Sequence, residues 1–153
     1  MIVAPFLAAL MLAIAVSDWR HYRVPDSLTL AALALRSLAL LSSPAPGAEI
    51  VAATARAATM AGLFYGFRLA YRTWRGREGL GLGDVKLAAV AGAWVDWRLL
   101  PFVVEFAALS GVAVAVVRAA RSGARLGAQT KLPFAVGFAA AIFVGWQLQS
   151  FGA

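Results

Sequence analysis

The sequence predicts an all-α polytopic membrane protein: about six transmembrane helices forming a single membrane-embedded domain over residues 1–153, with both termini outside. Three observations carry this expectation. Of the 153 residues, 62% are hydrophobic and 14% are charged, a charged fraction roughly half that of an ordinary soluble domain. A mean hydropathy of +0.79 is too high for a water-facing surface, and too little polar sequence is present to keep an unfolded chain solvated. The apolar residues also fall into runs separated by short polar gaps, as a multi-pass bundle requires.

The apolar runs cover 2–17, 26–41, 48–71, 84–95, 99–117 and 133–149. The first is short of the roughly 20 residues a crossing helix wants. No basic residue precedes it, which argues against a cleavable signal. The second is opened by Pro25 and Asp26, with Asp26 expected as its N-cap. Residues 42–47 (Ser-Ser-Pro-Ala-Pro-Gly) read as a tight interhelical turn. The third run carries Gly62 and Gly66, a small-xxx-small pair expected to pack against a neighbouring helix. The fourth is the shortest. Glycines at 79, 81 and 83 disfavour a straight helix through that stretch, so the run either extends back into it or falls short of crossing. No repeat and no domain linker interrupts the chain.

The formal net charge is +7, from 14 Lys+Arg against 7 Asp+Glu. Because the cations sit in gaps between apolar runs, they report orientation rather than nucleic-acid binding. Arg20 and Arg23 follow run 1; Arg72, Arg75 and Arg77 follow run 3; Arg121, Arg125 and Lys131 follow run 5. The gaps after runs 2 and 4 hold only Arg98. The positive-inside rule then places the odd-numbered gaps in the cytoplasm. Asp18, Asp84 and the Lys131-Leu132-Pro133-Phe134 stretch are thereby expected on one face of the membrane. The absence of cysteine excludes thiol and Cys-ligated zinc chemistry, and a single histidine, His21, builds no His-rich metal site.

Asp18 lies where an apolar run meets the basic stretch Trp19-Arg20-His21-Tyr22-Arg23, and Asp84 follows the alternating glycines. Two adjacent carboxyl groups cannot both ionise cheaply and share one proton, the arrangement that activates water against a peptide carbonyl. From helix ends alone, Asp84 at a helix start is favoured as the anion, and Asp18 at a helix end as the holder of the proton. The same residues also fit ordinary interfacial charges, with Asp18 neutralising arginines and Asp84 capping a helix.

Asp18 followed by Arg23-Val24-Pro25-Asp26-Ser27-Leu28-Thr29, then Gly81-Leu82-Gly83-Asp84-Val85-Lys86-Leu87, and finally Lys131-Leu132-Pro133-Phe134, resembles the type IV prepilin peptidase family. These are membrane aspartic proteases of the GxGD kind. The resemblance implies that Asp18 and Asp84 are catalytic, and the wider motif marks Gly81, Gly83, Lys86 and Pro133 as substrate-binding or site-shaping positions. It implies prepilin or prepilin-like substrates cut on the cytoplasmic side of the bacterial inner membrane, and neither metal nor organic cofactor. The larger members carry an N-terminal four-cysteine zinc region that has no counterpart here, so the chain looks more like the minimal tight-adherence (Flp-type) peptidases, without N-methylation. Membrane lipids are the other expected partner; nucleic acid is not one. Presenilin-like and signal-peptide peptidases share GxGD, but with a Tyr-Asp pair and a Pro-Ala-Leu element that this sequence lacks. A non-enzymatic assembly or transport subunit is the further alternative; a transporter would be expected to place polar groups near the midplane between repeats.

Of the remaining polar residues, Lys86 is expected to snorkel to the interface unless it meets an acidic substrate group, and His21 to be a solvated loop residue. Arg36, Arg56 and Glu105 lie inside apolar runs, each roughly 10–12 Å deep at ~1.5 Å per residue. They are expected to form a buried Arg–Glu packing cluster joining runs 2, 3 and 5. Trp94, Trp97 and Trp146 are expected in an outer interfacial belt.

Overall fold

A computed structural model describes residues 2–77, 79–122 and 134–151. They form six helices: α1 (Val3–His21), α2 (Asp26–Leu41), α3 (Pro46–Arg75), α4 (Leu82–Trp94), α5 (Leu100–Ser122) and α6 (Phe134–Phe151). Among the described residues there is no strand. Four helices, α1, α3, α5 and α6, are long and apolar enough to cross a membrane. With 16 and 13 residues, α2 and α4 are shorter than these; at ~1.5 Å per residue α4 extends only about 20 Å.

The short helix α4 is the centre of the bundle. It packs along α3 and also touches α6, α2 and α5, while α1 lies against α6 and α2. Apart from the half-buried Ala89, residues from Leu87 to Val95 are buried. The sequence supports this position with Leu, Val, Ala and Gly on every side of the helix, a composition that leaves no polar face to hydrate. Gly92 permits the closest approach: a Cβ there would stand 2.5 Å from the Arg56 carbonyl oxygen of α3. The outer helices are instead apolar toward the outside, with Leu12, Leu63, Phe102 and Leu148 among many exposed large side chains, as a lipid-facing surface requires.

A helix leaves its last four carbonyls without intrahelical partners, and those of the buried Gly92, Ala93 and Trp94 call for partners within the protein. Here all four are satisfied. Val95 N–H donates to Ala91 O at 2.8 Å, Arg56 Nε to Gly92 O at 3.1 Å, Arg36 Nε to Ala93 O at 3.0 Å and Gln149 Nε2 to Trp94 O at 2.6 Å. Gln149 also accepts the Asp96 N–H at 2.9 Å.

This corrects the expected Arg–Glu cluster. The two arginines do converge, but on α4 rather than on Glu105, which is exposed on α5; Arg56 meets Asp96 at 3.4 Å instead. The orphan carbonyls attract both guanidinium groups. Trp94 likewise leaves the expected belt. It is fully buried, donates Nε1–H to Ala32 O at 3.0 Å and lies under the Arg36 guanidinium, so its polar edge is satisfied inside the bundle rather than at an interface. Trp146 is half-buried and edge-on to Trp94 at 5.6 Å, while Trp97 is exposed. Gly62 and Gly66 are exposed, with no described atom within 4 Å of a Cβ built at either. Among the described residues they therefore join no helix, because α3 turns its opposite face to α4.

Candidate active site

Asp18 is not at the edge of a loop. Helix α1 continues through it to His21 and ends at Tyr22, whose φ of 52° is left-handed and whose N–H returns to Asp18 O at 2.9 Å. Asp18 thus sits in the last turn of α1, 7% exposed. Its Oδ2 accepts the Ala135 N–H at 2.9 Å, and the Val136 N–H also acts on the carboxyl. Both donors belong to the first turn of α6, where backbone N–H groups have no helical acceptor and favour an anion.

The alternating glycines end in an extended Gly81 (φ −72°, ψ 151°), the residue before α4. Asp84 occupies the first turn of that helix, half-buried. Its Oδ2 accepts the Gly81 N–H at 3.1 Å, and its own N–H donates to Gly81 O at 3.2 Å. This reciprocal pair fixes the carboxyl at the helix start. A Cβ on Gly83 would stand 3.0 Å from Val24 Cγ2, and one on Gly79 would stand 2.5 Å from the Tyr71 ring. Glycine is thus needed where the chain passes the α1–α2 connection and where it leaves α3.

Lys86 does not merely snorkel: its ammonium is ion-paired with Asp26 of α2. Asp26 correspondingly is not the N-cap. Pro25 holds that place with extended backbone (φ −65°, ψ 135°), Asp26 is the first helical residue, and its carboxylate turns to the cation across the gap. The Val24–Gly83 and Asp26–Lys86 contacts bring the start of α4 against the α1–α2 connection. Asp18, in the last turn of α1, and Asp84, in the first turn of α4, thereby lie at the same end of the bundle. The helix-end argument for placing the shared proton on Asp18 loses its basis, because each carboxyl now faces a helix N-terminus: Asp18 that of α6, Asp84 that of α4.

Of the sequence-derived site residues, Asp18, Gly81, Gly83, Asp84 and Lys86 therefore gather at one end of the bundle. Pro133, with Lys131 and Leu132, lies outside the described residues. The backbone donors Ala135 and Val136 and the wall residue Val24 were missed. A backbone N–H has no side-chain signature, so its only trace in the sequence is the start of an apolar run near 133. Among the described residues no cluster of three His, Cys, Asp or Glu could hold a metal ion.

The fold and site thus define a helical, multi-pass type of membrane protein with two acidic residues, Asp18 and Asp84, at the end of the bundle where the short central helix begins. The chain belongs to the type IV leader peptidase family, whose model matches residues 5–116. A prepilin leader peptidase/N-methyltransferase of Burkholderia pseudomallei (strain K96243) is 37% identical over 147 residues, covering 91% of this chain and 45% of that protein. The enzyme of the same description from Escherichia coli (strain K12) is 34% identical over 112 residues, 70% of this chain and 47% of that protein. The leader peptidase HopD of Escherichia coli is 42% identical over 89 residues, 58% of this chain and 54% of that protein. The chain spans about half the length of these curated relatives. No solved structure matches it.

Proposed function

We propose that this chain is a membrane-embedded aspartic endopeptidase that removes the leader peptide of type IV prepilins or prepilin-like proteins, with Asp18 and Asp84 as its catalytic carboxyl groups. The observation that carries the reading is their convergence. Two acids remote in sequence lie at the same end of the bundle, where the Gly83–Val24 and Lys86–Asp26 contacts hold the start of α4 against the α1–α2 connection, in a chain whose relatives are leader peptidases.

Chemically, the pair shares one proton and titrates as a unit. The ionised member takes a proton from water, whose oxygen attacks the scissile carbonyl carbon, while the protonated member gives its proton to the carbonyl oxygen. Collapse of the tetrahedral intermediate breaks the C–N bond, and a proton passes to the departing amine. The extended backbone at Gly81 offers an unwound substrate strand a partner beside Asp84, while Gly83 lets the α1–α2 connection close in at Val24. Lys86 shapes the site by holding α4 to α2, and Pro133 precedes the α6 turn whose N–H groups engage Asp18.

The basic gaps following α1, α3 and α5 support a cytoplasm-facing site in the bacterial inner membrane, with membrane lipids around the bundle and both chain termini on the outer side. The reading concerns the leader-cleaving step alone. Its test is co-expression of a candidate prepilin with the native chain, Asp18→Asn or Asp84→Asn, with the leader followed by mass spectrometry. The native chain is expected to yield trimmed pilin and both variants only the precursor. Trimming that continued in both variants would overturn the reading.

A further inference from the structure

We propose that Arg36, Arg56 and Gln149 are positioning residues: by holding the C-terminal carbonyls of α4 they fix that helix along its axis, and with it the place of Asp84 relative to Asp18. The inference rests on the reading of these two aspartates as the catalytic pair.

Side-chain packing fixes the axial register of α4 at few places, chiefly the Gly92 approach to α3 and the buried Leu87, Val90 and Trp94. The rest of its body is small, with Ala88 and Ala89 before Val90 and Ala91, Gly92 and Ala93 after it. At its N-terminal end the Lys86–Asp26 pair is partly exposed on both sides, and such pairs hold weakly. The C-terminal end is different. Donors from three separate helices, Arg56 of α3, Arg36 of α2 and Gln149 of α6, take three successive carbonyls, those of Gly92, Ala93 and Trp94.

A slip by one residue, about 1.5 Å and about 100°, puts a neighbouring carbonyl before Arg36 and Arg56, but because α4 ends at Trp94 it leaves either Gln149 without a helical acceptor or the Trp94 carbonyl without its donor. In an apolar interior an unmatched carbonyl is costly to leave. A slip would also bring the methyl group of Ala91 or Ala93 to the place of Gly92, where a Cβ meets the α3 backbone at Arg56 within 2.5 Å. The hydrogen bonds and the steric stop select the same register. Asp84 lies ten residues before Trp94 on that helix, about 15 Å along its axis, so the lock at one end sets the carboxyl at the other.

The experiment uses the full chain in membranes with Arg36→Leu, Arg56→Leu, Gln149→Leu, Arg36→Lys and Arg56→Lys. Cleavage kinetics are read beside an activity-independent signal. The chain has no cysteine, so Leu82→Cys, beside Asp84, and Ser42→Cys, in the turn between α2 and α3, each provide a single thiol at an exposed position. The leucine variants are expected to lose kcat about 10- to 100-fold with KM nearly unchanged, as misplacement by about 1 Å produces, and to shift the limbs of the pH–rate profile. Thiol labelling should change at position 82 and not at position 42. Arg36→Lys, which keeps one long-stemmed donor, should restore most of kcat. Arg56→Lys, which can keep only one of two partners, should restore less.

If a leucine variant fails to accumulate, the lysine pair and Gln149→Leu carry the same comparison. Unchanged kcat in the variants, or labelling that rises equally at both positions, overturns the proposal, since the latter is general loosening. A native chain that cleaves nothing instead removes the protease reading, and this inference falls with it.

Discussion

The carboxylate of Asp18 near the end of α1 accepts the backbone N–H of Ala135 at the start of α6, at 2.9 Å across 117 residues of sequence. One oxygen thus joins the first helix to the last and serves the candidate site at the same time. Asparagine retains an oxygen acceptor for that N–H and removes only the ionisable group. Asp18→Asn is therefore expected to abolish cleavage while leaving detergent-solubilised thermal stability nearly unchanged. Asp18→Ala removes the acceptor as well and should cost a further 1–2 kcal/mol or so. Denaturation of the two variants side by side checks this; equal stability would mean that the Ala135 contact contributes nothing.

The glycines of α4 should respond differently to a single added methyl. At Gly83 the obstacle is a side chain, Val24, with Cγ2 at 3.0 Å and Cβ at 3.1 Å from the new carbon. Gly83→Ala is expected to destabilise by about 1–2 kcal/mol and to slow cleavage, with partial recovery when Val24→Ala is added. At Gly92 the obstacle is the α3 backbone at Arg56. Gly92→Ala should cost about 2–3 kcal/mol with no recovery from trimming neighbouring side chains. Unfolding curves of the single and double variants make the comparison.

The Lys86–Asp26 pair joins α4 to α2 with both side chains partly exposed. Breaking it by Lys86→Met or Asp26→Asn is expected to cost only about 0.5–1 kcal/mol, and less in high salt. The exchange Lys86→Asp with Asp26→Lys should recover most of that loss and most of the cleavage rate. A double-mutant cycle without coupling would show that Lys86 serves something other than Asp26.

Much of this architecture was readable in the chain. Apolar runs separated by charged gaps located the helices, and α2 begins and ends where its run does. Spacing and parity placed Asp18 and Asp84 at one end. The errors concern polar groups inside apolar stretches. Arg36, Arg56 and Glu105 lie at similar depth in their runs, which suggested mutual neutralisation. Depth along a helix says nothing of the direction a side chain faces, and Glu105 faces outward. Trp94 matched an interfacial aromatic by position, yet its N–H finds Ala32 O inside the bundle.

By itself the sequence determined the helical membrane class, because hydropathy and charge act locally and leave their pattern in consecutive residues, and it singled out Asp18 and Asp84 through the motifs around them. Only the tertiary structure decided which backbone groups complete the site and its foundation: the N–H groups of α6 on Asp18, and the carbonyls of α4 held by Arg36, Arg56 and Gln149. Every residue carries the same amide, so a hydrogen bond to one is chosen by the packing of distant helices rather than by the identity of the residue that supplies it.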